Sequence, residues 1–124
     1  MAGKKSQRQN DDMIDAIWVS GEKGEPAKIV LVLGNGLKVE TQIDKATQSQ
    51  ADLHAIIHAF ELIKAEPRKC IIYTDSNIIH GQLIKKWPIR QNMHLSLQAL
   101  NLFKMLESII QIRLVRKEQN RARQ

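Results

Sequence analysis

One cysteine, Cys70, stands in a chain of 124 residues. A lone thiol excludes an intrachain disulfide and a thiolate metal cluster, and it points to a reducing compartment. Cys70 lies within an apolar run and reads as an inert core residue. Long hydrophobic stretches are missing too: none approaches the ~20 residues that a membrane-spanning helix needs. The opening residues are polar and charged, with no apolar stretch of the secretory kind, so the expectation is an intracellular protein, cytoplasmic or nuclear, away from membranes. No internal repeat or low-complexity block interrupts the chain. Acids are in deficit, with 13 Asp and Glu against 19 Lys and Arg, for a formal net charge of +6. That balance favours polyanionic partners over cationic ones.

What is present is an ordinary globular composition, 43% hydrophobic and 26% charged, in a length that suits one domain with a single core. Residues 1–12 read as a flexible polar head carrying Lys4, Lys5 and Arg8. Residues 13–116 read as the domain, and 117–124 as a basic tail. Arg113, Arg116, Lys117, Arg121 and Arg123 crowd that end, either to track phosphates or simply to be solvated.

Periodicity divides the domain. Residues 13–19 are rich in strand formers, and Ser20 to Pro26 carry turn chemistry. Ile29 to Leu33 form a continuous apolar run, as expected of a strand covered on both faces. Gly34-Asn35-Gly36 signals a hairpin. Leu37, Val39, Thr41 and Ile43 then alternate with polar residues, which predicts a half-buried antiparallel return. Leu53, Ile56, Ile57, Phe60 and Ile63 switch to helical spacing, with Ser49 and Asp52 as an expected capping box. A strand follows over 69–74 and a short helix with Ile79 and Leu83, broken at Lys85-Lys86-Trp87-Pro88. A long helix from Asn92 to about Ser108 turns Leu95, Leu100, Phe103 and Leu106 inward, and a last strand covers 109–115. Three antiparallel strands followed by strand–helix units predict a mixed sheet flanked by helices.

Asp75, at the end of its strand, is open to two readings: a cap on the next helix, or a carboxylate held at the sheet's lip to grip a metal. Asp52 is equally the acid of a capping box. His54 and His58 have an i, i+4 spacing that can bind zinc, but no third ligand accompanies them, and they read as half-buried or exposed histidines. Trp87 can stack on a nucleotide or pack beneath the Lys85-Lys86 turn.

Thr47-Gln48-Ser49-Gln50-Ala51-Asp52-Leu53 resembles the T-x-x-x-A-E-L helix start of the ribonuclease H family. Ile72-Tyr73-Thr74-Asp75-Ser76 resembles its Y-T-D-S strand end, and Val115-Arg116-Lys117-Glu118-Gln119-Asn120 its V-P-R-E-x-N loop. The order of elements matches over roughly 13–120, closest to retroviral and compact prokaryotic or plant versions. The resemblance implies a five-stranded mixed sheet in order 3-2-1-4-5 with flanking helices. It also implies cleavage of the RNA strand of RNA/DNA hybrids by two divalent ions held by four carboxylates.

Carried over residue by residue, the resemblance assigns Asp75 to the fourth-strand carboxylate and Asp52 to the helix position, where the family usually has Glu. Ser20 falls where the first-strand Asp belongs, and the fourth acid would fall at Gln124 on a final helix that is missing. The leading expectation is therefore a ribonuclease H-like domain that binds RNA/DNA hybrid or RNA with lost or strongly reduced hydrolysis. Asp52 and Asp75 would retain a weak Mg²⁺ site, and Lys85, Lys86, Trp87, Arg116, Lys117, Arg121 and Arg123 would contact the nucleic acid. Unneutralised, the two aspartates would repel phosphate, so Mg²⁺ would be expected to improve binding. The alternatives are an active Mg²⁺-dependent hybrid ribonuclease using Asp52, Asp75, Glu22 and Glu118, and a protein-interaction module, with a protein partner or a second copy, descended from a retroelement.

Overall fold

The structure, a computed structural model, describes residues 14–124. The polar head assigned to 1–12 lies outside the described residues. Five strands form one sheet in the order β3-β2-β1-β4-β5. β1 (Asp15–Glu22), β2 (Ala27–Leu33) and β3 (Lys38–Ile43) are an antiparallel meander, and residues 38–43 pair with 27–32 as the alternation predicted. β4 (Cys70–Thr74) lies parallel to β1, and β5 (Ile110–Leu114) parallel to β4. The helices are α1 (Gln48–Ala65), α2 (Asn77–Leu83) and α3 (Met93–Leu106). No described helix is long and apolar enough to cross a membrane.

Each element follows from its local chemistry. The β2–β3 turn closes through Gly36 at φ 92°, a conformation that glycine adopts without a Cβ penalty. α1 begins earlier than the Ser49/Asp52 pattern suggested. Thr47 is the cap: its hydroxyl accepts from the Gln50 backbone N–H, while the Gln50 side chain accepts from the Thr47 N–H. Two orphan donors are thus satisfied before Asp52 is reached, which leaves that carboxylate free to turn toward β1. Ser76, not Asp75, caps α2 by accepting from the Ile79 N–H.

The main core lies between the sheet and its helices. Ile17, Ile29, Leu31 and Ile72 meet Ile56, Phe60 and Ile63 of α1, all virtually inaccessible to solvent. Full burial of each large side chain contributes about 1.5–3 kcal/mol. α3 packs on α1 through Ala99, Leu102 and Leu106, with the expected Leu95, Leu100 and Phe103 partly buried beside them. Its smaller buried residues, Ser96 and Ala99, allow a close approach that a search for large apolar residues overlooks.

β2 is covered on both faces, as its unbroken apolar run required. The second face of Val30 and Val32 is closed by Ala122 and Trp18. The segment after β5 forms two short 3-10 turns, Lys117–Gln119 and Arg121–Arg123, and returns across β1 and β2. Residues 117–124, expected to be a tail, are therefore folded in part against the sheet: Asn120 and Ala122 are buried, while the intervening Arg121 is exposed. The cause is the apolar pair on the far face of β2, which needs cover.

Candidate nucleic-acid interface and carboxylate centre

β1, β4 and the start of α1 converge at one end of the sheet. Gly21 is the point of closest approach, since a methyl group there would lie 2.2 Å from the Ala51 carbonyl carbon. That contact lets the Gly21 N–H donate to Asp52 Oδ1 at 2.9 Å, while Gln48 Nε2 donates to the same oxygen at 3.1 Å and to the Gly21 carbonyl at 2.8 Å. Asp75 emerges from the end of β4, and its side chain is only 3% exposed.

Between the two carboxylates lies the guanidinium of Arg123. Its Nη2 donates to Asp75 Oδ1 at 2.8 Å and to Asp52 Oδ1 at 3.2 Å, its Nε donates to Asp75 Oδ2, and its Nη1 donates to the Gly21 carbonyl at 3.0 Å. The planar fork meets Asp75 with two nitrogens, an arrangement that lysine cannot reproduce. Asn120 completes the clasp: its side-chain amide donates to Asp75 Oδ2 and to the Val19 carbonyl, both at 2.9 Å, and its oxygen accepts from the Ala122 N–H. Ser20 is buried beneath this segment and donates its hydroxyl to the Ala122 carbonyl at 3.2 Å.

The environment treats the two acids differently. Burial pushes the Asp52 carboxyl above its ordinary pKa despite its N–H donors. Burial acts the same way on Asp75, but hydrogen bonds from Arg123 and Asn120 and the positive charge of Arg123 outweigh it, and its pKa falls below the ordinary value. Arg123 makes two contacts to Asp75 and one longer contact to Asp52, which accounts for the difference. Arg123 is itself held more firmly in its charged form, chiefly by its hydrogen bonds to Asp75.

The structure thus brings together three residues assigned from the sequence: Asp52 and Asp75, with Ser20 nearby. Arg123, assigned to phosphate contact, has its guanidinium directed into this centre. The other acids proposed for an atypical metal set lie elsewhere. Glu22 pairs with Lys28 at 3.4 Å, and Glu118 is exposed. Among the described residues no cluster of three or more acids, histidines or cysteines could hold a metal ion. His54 and His58 gain no further ligand.

The donor set does not fit a pair of Mg²⁺ ions. Mg²⁺ needs near-octahedral oxygens at about 2.0–2.1 Å. Here two carboxylates are spaced around a larger planar cation at hydrogen-bond distance, with N–H donors occupying their inward-facing oxygens.

The remaining assigned residues lie on the surface. Lys85, Lys86, Arg116, Lys117 and Arg121 are exposed. Arg121 stacks its guanidinium 4.7 Å from the centre of the Trp18 ring, which in turn stacks on Tyr73. Trp87 is 38% exposed; it rests against Gly81 with the Lys85 ammonium 5.5 Å over its ring. Packing beneath the turn and an accessible edge are thus both present. Sequence reasoning missed Asn120 as the clasp, although it closes the motif quoted above. It also missed a small groove in which Ser49, Ser76 and Asn92 meet the apolar Leu53, Ile78 and Ile79, and where the Asn92 side chain donates to Ser49. Hydroxyls and amides at three helix starts were the available signal.

Sheet order, helix placement and the carboxylate pair together define a ribonuclease H-like domain. The family model described as reverse transcriptase-like, a ribonuclease H-like group, matches residues 14–123, and the chain belongs to that family. Among curated proteins none matches. Solved ribonuclease H structures share the fold. The N-terminal RNase H domain of an Mycobacterium tuberculosis protein superposes with a TM-score of 0.73 at 19% identity, covering 86% of this chain and 84% of that one. RNase H1 of Halobacterium salinarum gives 0.68 at 22%, covering 89% and 91%. An RNase H1 isolated from compost gives 0.75 at 21%, covering 88% and 89%. The compost enzyme has also been solved in complex with an RNA/DNA hybrid; that structure gives 0.72 at 19%, covering 86% and 88%.

Proposed function

We propose that this domain binds RNA/DNA hybrid or structured RNA and hydrolyses it poorly or not at all. The observation that carries the reading is the Arg123 bridge. A guanidinium joins two carboxylates at a position where two-metal hydrolysis needs acids free to hold ions. A ribonuclease H fold and a hybrid-bound structural relative support the choice of ligand, as does the net charge of +6. The chain's own groups account for binding rather than cleavage. Exposed Lys85, Lys86, Arg116, Lys117 and Arg121 attract phosphates, the contacts that position a nucleic acid on a protein. Both oxygens of Asp75 and one oxygen of Asp52 accept from fixed N–H donors, which draws the two acids toward Arg123 rather than toward a metal-bound water.

The test is a fluorescence-anisotropy titration with a labelled hybrid, together with a cleavage assay in Mg²⁺ and in Mn²⁺, with Asp75→Asn as control. Binding that weakens steeply with salt, with turnover at or below about a thousandth of a competent family member, is expected; that ratio corresponds to about 4 kcal/mol of lost transition-state stabilisation. Brisk turnover abolished by Asp75→Asn would overturn the reading.

A further inference from the structure

We infer that Arg123 is a resident cation: it takes over the electrostatic task of the divalent ions, so the centre meets nucleic acid without needing a metal. This rests on the binding function proposed above and adds how that site is regulated, namely that it is independent of divalent ions.

Three features make the guanidinium a built-in part of the site. First, every nitrogen of the group is engaged, and each acceptor belongs to β1, α1 or the end of β4, where the family places its metal-binding acids. Secondly, the backbone that delivers it is anchored independently of its charge. Asn120 is fully buried and tied to the Val19 carbonyl, Ala122 is 2% exposed against Val30 and Val32, and the Ser20 hydroxyl holds the Ala122 carbonyl. Arg123 is therefore brought to the carboxylates by contacts that do not involve its own charge. Thirdly, the residues that depart from the family pattern suit a guanidinium. Ser20 supplies a donor to the incoming carbonyl where an acid would oppose it, and the short side chain of Asp52 leaves width for a planar group.

The charge balance supports the same conclusion. Two carboxylates alone would present two negative charges to an incoming phosphate, and Arg123 cancels one of them. Lys117 also acts on Asp75 electrostatically. The repulsion that would otherwise make Mg²⁺ a binding partner's requirement is thus relieved from within the chain.

The experiment separates metal binding from nucleic-acid binding. Mn²⁺ is titrated calorimetrically into the nucleic-acid-free protein, its Arg123→Ser variant and the double variant Arg123→Ser/Asp75→Asn, with circular dichroism to verify folding. Wild type should show no saturable Mn²⁺ site. Arg123→Ser should gain at least about tenfold in Mn²⁺ affinity, and the double variant should lose that gain. In parallel, hybrid affinity of the wild type should agree within about twofold between EDTA and Mg²⁺ at matched ionic strength, whereas Arg123→Ser should bind more weakly in EDTA and recover in Mg²⁺. Saturable Mn²⁺ binding by wild type that the double variant lacks would overturn the inference, because the cation would then be displaceable. So would a folded Arg123→Ser variant with no gain in Mn²⁺ affinity. If Arg123→Ser does not fold, the wild-type titration still decides between residence and displacement. Failure to bind hybrid in any condition would refute the proposed function while leaving the metal titrations to judge Arg123.

Discussion

Replacing Gly21 with alanine tests whether β1 and α1 are in contact at the centre. The added methyl carbon would lie 2.2 Å from the Ala51 carbonyl carbon, 2.4 Å from the Asp52 nitrogen and 2.5 Å from the Ala51 oxygen. All three are backbone atoms, so no side chain can swing aside. Ordinary contact requires about 3.4 Å or more, and strand and helix must therefore separate by about 1 Å. Overpacking of this kind costs about 1–3 kcal/mol. The same movement stretches the Gly21 N–H bond to Asp52 and the bonds that its carbonyl accepts from Gln48 and Arg123, now 2.9, 2.8 and 3.0 Å. Bonds to charged groups each contribute about 1.5–3 kcal/mol, and weakening rather than losing them adds a fraction of that. The expected destabilisation is about 3–5 kcal/mol, read from the urea midpoint at unchanged m-value. Alongside it, the Asp52 carboxyl carbon should shift in NMR as its donors withdraw. A loss below about 1 kcal/mol would refute the close approach and with it the placement of Asp52.

Further substitutions probe the clasp and the charges. Asn120→Ala removes the donor shared by the Val19 carbonyl and Asp75 and leaves buried groups unpaired; it should cost about 2–4 kcal/mol in chemical denaturation. Asp75→Asn should cost about 3 kcal/mol at neutral pH by leaving Arg123 without its main partner. Because the folded pKa of Asp75 lies below its unfolded value, this contribution is complete above that value, near 3.8, and is lost as pH falls through the folded pKa; the gap between wild type and Asp75→Asn in thermal melts should therefore close in strong acid. Neutralising Arg116, Lys117 and Arg121 together should flatten the salt dependence of hybrid binding by up to about three phosphate contacts, and an unchanged slope would remove them from the interface. Ser20→Asp places a buried carboxylate against the Ala122 carbonyl, and hydrogen exchange should show the Ala122 and Arg123 amides losing protection.

The sheet was legible because its cues are short-range and redundant. Gly34-Asn35-Gly36 sets the hairpin, the alternation of 37–43 sets its register, and the helical spacing from Leu53 to Ile63 fixes the face of α1. The capping box was misplaced from Thr47/Gln50 to Ser49/Asp52 because both pairs satisfy the same spacing rule, and only the tertiary demand on Asp52 separates them. The unbroken run Ile29 to Leu33 announced cover on both faces without saying what supplied it. Beside Trp18, the cover is one alanine, Ala122, in a polar and basic stretch with no periodicity to read. Burial of Asn120 is equally silent in sequence, since asparagine is mostly a surface residue.

The placement of Arg123 was hidden for a different reason. Counting basic residues gives the field around a protein, but it cannot say which arginine is consumed internally. That depends on three positions spread across the chain, Ser20, Asp52 and Asp75, and on a backbone path that brings residue 123 to all of them. These positions constrain one another. An acid at Ser20 would repel the Ala122 carbonyl and release the segment, and without that segment Val30 and Val32 would lose their cover. An alanine at Asn120 would leave Asp75 without its second donor and loosen the turn that aims the guanidinium. The pairing of Ser20 and Arg123 at the centre is therefore tied to the packing of β2 as much as to the local chemistry. Restoring a single acid asks the chain to give up buried apolar contacts as well as an ion pair.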